Sequence, residues 1–177
     1  MSILRRVAHV VIVLAMPPAL ILAPMYLFIT PEFVRHEYTL SGFPPSTRYT
    51  PQERIALSDA IIYYVRGHST REQLEIVRGP DGQPALTERE IDHLTDVRVV
   101  MRGLFIANGV AIALAVVATA LLVPISHRGR LSTALRQGVY AAGGLLGVIL
   151  VAAFIDFHVF FTVFHQIFFA EGTWLFD

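Results

Sequence analysis

Three long apolar blocks, separated by stretches that hold nearly all the charge, constrain this chain more than any other feature. The first runs from Val7 to Ile29, 23 residues without a formal charge. The second begins at Val99 and continues to Val123, interrupted only by Arg102. The third, Gly138 to Phe169, is 32 residues long and holds one acid, Asp156. About 20 helical residues cross a hydrocarbon core of about 30 Å, so each block can span a membrane. The 54% hydrophobic content exceeds the ~45–50% of ordinary soluble domains. Pro17, Pro18 and Pro24 should kink or break the first span. A cleaved signal peptide competes for this stretch. The apolar run is longer than an h-region of about 7–15 residues, and no A-x-A site precedes a permissive residue, so an uncleaved span is expected.

The residues that are missing remove several functions. The formal charge is zero, so no basic field points to nucleic acid. Without cysteine there are no disulfides, thiolate nucleophiles or Cys-based zinc sites. All 14 basic residues are arginine, which excludes a Schiff-base or P-loop lysine.

Arginine placement gives the topology. Arg5 and Arg6 precede the first span, and Arg128, Arg130 and Arg136 lie between the second and third with no acid among them. Both clusters read as cytoplasmic by the positive-inside rule. Residues 30–98, with eight arginines and eleven acids, are net acidic and suit the outer side. The expected fold is therefore all-α and polytopic, with three transmembrane helices and a small, mainly helical extracytoplasmic domain. The segments are a first span at 1–29, the outer domain at 30–98, a second span at 99–124, a cytoplasmic loop at 125–137, a third span at 138–162 and an outer interfacial segment at 163–177.

Within the outer domain, Phe43-Pro44-Pro45 and Gly79-Pro80-Asp81-Gly82 signal loops. Thr50-Pro51-Gln52-Glu53 is a capping box with proline at the first helical position, predicting a helix over 51–66 that ends near Gly67. A short helix is expected over 70–78. Thr87-Glu88-Arg89-Glu90 opens another helix that carries His93, Asp96 and Arg98 and meets no breaker before Pro124.

Two histidines fall at one height by independent counts. His93 lies six residues before Val99, about 9 Å above the outer start of the second span at 1.5 Å per residue. The third span reaches the outer surface near residue 158, which puts His165 about 10 Å beyond. His165 sits in Phe164-His165-Gln166-Ile167-Phe168-Phe169, with Trp174 just behind. A titratable ring among such neighbours is costly without a partner.

Glu88-Arg89-Glu90-Ile91-Asp92-His93-Leu94-Thr95-Asp96-Val97-Arg98 before a span, together with the Phe164–Phe169 stretch and Trp174, resembles the lipoprotein intramolecular transacylase (Lit) family of small bacterial integral membrane proteins. The resemblance covers nearly the whole chain. It implies a four-helix membrane protein with an extracytoplasmic domain after the first helix. By this resemblance the chain is expected to lack the family's fourth helix, which would follow Trp174. It further implies an acyltransferase of the bacterial cytoplasmic membrane, acting on diacylglyceryl-modified lipoproteins within membrane phospholipid. The acyl chain would move from the sn-2 position to the α-amine of the N-terminal cysteine, giving the lyso form.

Such a reaction needs an amine freed of a proton, donors for a tetrahedral oxyanion and a proton for the leaving glyceryl oxygen. Histidine titrates near 6.5 and can fill either proton role. No serine sits in a nucleophile elbow, so direct transfer without an acyl-enzyme is the simpler scheme. His93 is assigned as general base, Asp96, with Asp92 as second choice, as the group that orients it, and His165 as donor to the carbonyl or leaving oxygen. Asp92 is left for Arg89 or the domain. Arg98, Phe168, Trp174 and Asp156 are candidates for substrate contact. Asp156, an acid inside a span, also calls for a partner, with Arg102 or His158 expected in that role. No cofactor or metal is required. Two other functions compete: a zinc hydrolase using His93, Asp96, His158 and His165, though no H-E-x-x-H is present, and a membrane scaffold without catalysis.

Overall fold

The computed structural model describes residues 3–123, 128–169 and 174. They form helices α1 (Ile3–Leu22), α2 (Met25–Phe28), α3 (Pro31–Thr39), α4 (Pro51–Val65), α5 (Arg71–Glu75), α6 (Glu88–Leu122), α7 (Arg128–Ile155) and α8 (Phe157–Phe168). Among the described residues the only pairing of strand type is an isolated bridge between Arg78 and Pro84. Three stretches are long and apolar enough to cross a membrane: Ile3–Phe28, Glu88–Leu122 and Gly129–Ile155. Pro124, expected to end the second span, and residues 170–173 and 175–177 of the terminal segment lie outside the described residues.

The chain divides into two compact units, one of residues 1–24 and 104–162, the other of residues 25–103 and 163–177. In the first unit α1 packs against α6 and α7. Ala8, Ile12, Ala118, Leu122 and Ala134 form one core cluster, and Ala15, Ala19 and Ala111 a second. Small side chains at the seam let helix backbones approach where lipid provides no hydrophobic drive between helices. At Gly138 a Cβ would lie 2.6 Å from Met16 Cγ and 2.7 Å from Met16 Cβ, so only glycine fits there without a shift. Pro17 and Pro18 lie inside α1, and the helix stops at Leu22, just short of Pro24. Asn108, 1% exposed, donates its Nδ2 to the carbonyls of Pro18 and Ala19, each at 3.0 Å. It thus supplies a donor to carbonyls in the last turn of α1, which run short of amides where a helix ends.

The second unit is built by capping. Thr50 and Glu53 form the reciprocal box that opens α4, Thr70 and Gln73 open α5 in the same way, and Thr87 with Glu90 opens α6. The unit's core holds Tyr64, Val65, Leu74 and Ile91, with Leu94, Val97 and Met101 packed against it. Residues 91, 94 and 101 recur at helical spacing along α6, which turns this stripe toward α4 and α5. Tyr64 shares a 2.7 Å hydroxyl bond with Thr95. The α3 helix joins α4 through the Arg35–Asp59 ion pair and a 2.6 Å Tyr38–Ser58 bond.

The third apolar block differs from one uninterrupted helix. It breaks at Asp156, between α7 and α8. Instead of an ionic partner, the Asp156 carboxylate accepts from the amide of Val159 at 3.0 Å. A short acidic side chain satisfies first-turn amides well, so Asp156 starts α8 as its N-cap.

Candidate active site

The site begins with helix periodicity. On α6 the stripe through Ile91 and Leu94 faces the domain core, and His93, two residues after Ile91, projects from another side of the helix. On α8, positions four apart share a side. Phe164 and Phe168 pair with ring centroids 4.9 Å apart. His165 and Phe169 make the neighbouring pair at 5.3 Å, and the Phe169 amide donates to the His165 carbonyl at 2.8 Å.

The structure brings the two histidines together. Their ring centroids lie 6.4 Å apart with the planes 23° from parallel. Phe169 closes a triangle with them, 5.1 Å from His93. Trp174 lies 4.9 Å from His165 and is 7% exposed. Both imidazoles are half-buried, so an aromatic wall holds them while part of each ring stays accessible.

Burial holds the His93 imidazole below its ordinary 6.5, His165 beside it pushes the same way, and the Asp96 carboxylate pulls it back up. Desolvation and a like charge both oppose an imidazolium, and an opposite charge favours it. Asp96 therefore acts on His93 through charge from one turn along α6. Asp92 turns to the domain, where it accepts from Arg71 at 2.7 Å, and Arg71 also binds Glu75 at 2.7 Å.

The remaining sequence candidates separate. Arg98 lies over the Tyr64 ring at 4.9 Å and donates to the Ser69 carbonyl at 2.9 Å, tying the α4–α5 connection to α6. Phe168 belongs to the Phe164 stripe. Phe169, singled out above only as part of an aromatic run, touches both histidines instead. The four-residue spacing from His165 was the available signal for it. Among the described residues, no three His, Asp or Glu side chains converge in a way that could hold a metal ion.

A close pair of imidazoles, one biased toward its neutral form, can take a proton at one ring and deliver one at the other. Compared with known families, residues 9–177 match one described as lipoprotein intramolecular transacylase Lit. No curated protein and no solved structure matches.

Proposed function

Because this chain belongs to the lipoprotein intramolecular transacylase Lit family, we propose that it moves the sn-2 acyl chain of a diacylglyceryl lipoprotein to the α-amine of the lipoprotein's N-terminal cysteine. The observation that carries this reading is the facing pair His93 and His165, 6.4 Å apart. The amine nitrogen attacks the ester carbonyl. His93, held toward its neutral form, takes the proton that the nitrogen loses. The tetrahedral intermediate collapses, the bond from carbonyl carbon to glyceryl oxygen breaks, and His165 delivers a proton to that oxygen. Over the turnover an amide replaces an ester and one proton passes from nitrogen to oxygen; the proton left on His93 then passes to His165, through water, and restores the pair. Both reacting groups ride on one substrate, so orientation alone supplies much of the acceleration. Phe169 and Trp174 fix the rings, and Asp96 tunes His93.

The reaction takes place at the outer face of a bacterial cytoplasmic membrane, with the N-terminus in the cytoplasm. The two arginine clusters and the acidic outer domain support this orientation, and ester and amine both lie at head-group depth. Transfer leaves the intact mass unchanged, so tandem mass spectrometry of N-terminal lipopeptides from cells expressing the chain tests the reading. An N-acyl, S-monoacylglyceryl terminus is expected. A free amine on an intact diacylglyceryl terminus, with the protein well expressed, would contradict it.

A further inference from the structure

A second site lies in the unit that does not hold His93 and His165. A cavity of about 600 Å³ opens at the start of α1 and α7, lined by Arg6, His9, Val10, Gly129, Arg130 and Thr133. We propose that it binds the phosphate of an anionic glycerophospholipid from the cytoplasmic leaflet. Two guanidinium-bearing residues from separate helices line it, and no carboxylate is among its described lining residues. Guanidinium groups recognise phosphate oxygens in a forked, charge-assisted geometry. Arg6 and His9 sit in the first two turns of α1, and Gly129 and Arg130 in the first turn of α7. The partial positive ends of two helices thus meet at the same cavity.

The walls are fixed independently of any ligand. His9 bonds the Gln137 side chain at 2.7 Å, joining α1 to α7. Thr133 donates to the Gly129 carbonyl at 2.9 Å. Below them lie Ala8, Ile12 and Ala134, almost wholly buried. Val10 and Gly129 give the lining an apolar part, which favours a lipid over a free phosphate ion. Arginines that only set topology need no shared cavity. The volume falls in the ~300–1,000 Å³ range of ligand pockets.

The test is native mass spectrometry of the full-length chain in detergent with phosphatidylglycerol and phosphatidylcholine, read as lipid retained rather than as acyl transfer. Its outcome is therefore independent of the acyl-transfer reading. The chain is expected to retain phosphatidylglycerol preferentially. Arg6→Gln and Arg130→Gln should each lower that retention about fivefold, the weight of one basic contact with an anionic lipid surface. Arg136→Gln removes an equal charge from α7 outside the lining and should leave retention unchanged. Thr133→Leu narrows the cavity and removes a lining hydroxyl without altering charge, and should lower retention while the helical circular dichroism signal is kept. Equal losses in Arg136→Gln and Arg6→Gln would overturn the site in favour of bulk charge. Wild-type retention in Thr133→Leu and both cavity arginine variants would also overturn it. Displacement of the lipid by millimolar inorganic phosphate would overturn the assignment to lipid.

Discussion

At the scale of single residues the account turns on how His93 is tuned. Its lowered pKa keeps the imidazole neutral at neutral pH, the form a base requires. The folded chain therefore binds fewer protons there than the unfolded chain. His93 costs no stability above 6.5, and a penalty grows as pH falls through 6.5 toward the lower folded value. The acid limb of the rate profile should follow that lower value. Asp96→Asn removes a carboxylate that raises it, so the limb should move to still lower pH while the protein stays folded. A pH–rate profile of the variant checks this, and an unmoved limb would separate Asp96 from His93. Phe169 makes a second prediction. Phe169→Leu removes the ring that touches both histidines and should slow turnover about tenfold, the scale of a lost aromatic contact. Phe168→Leu, which breaks only the pairing with Phe164, should cost less in the same initial-rate assay.

At the scale of elements, α1 and α7 meet through small residues, and Gly138 leaves no room for a Cβ against Met16. Gly138→Ala would drive a methyl into Met16 at under 3 Å and should destabilise the protein by about 1–3 kcal/mol, as overpacking does. Gly143→Ala, with nothing within 4 Å, should be close to neutral in the same detergent thermal-unfolding comparison. Elements were legible where a cap announced them. The boxes at Thr50 and Thr87 opened α4 and α6 as read, because a hydroxyl and a carboxylate three residues apart satisfy each other's backbone amides. Thr30-Pro31 carries a similar threonine–proline start, and Thr30 accepts from the Phe33 amide at 3.2 Å, yet α3 was not anticipated. The break at Asp156 was hidden for the opposite reason. In an apolar block, an acid looks first like half of an ion pair, although an N-cap satisfies it equally well.

At the scale of the whole molecule, charge and length read directly from the chain. Apolar blocks and arginine clusters are one-dimensional signals, and three candidate spans follow from them. The approach of His93 and His165 is seen in their ring contact; the residue count that put them at one height took the third block as a single straight helix, which breaks at Asp156. Which aromatic ring would join them, and that Arg98 would turn to Tyr64 and Ser69, depended on rotation about the helix axes, which counts of height leave undetermined. The central claim is that this pair carries out direct transfer within one substrate molecule. Purified full-length protein should be given a mixture of two synthetic diacylglyceryl lipopeptides, differing in peptide mass, with an isotope label in the sn-2 acyl chain of only one. The account predicts the label on the amine of the labelled peptide alone, and a rate lowered about 10²–10⁴-fold in both His93→Ala and His165→Ala. Label on the other peptide, or wild-type rates in both variants, would contradict it.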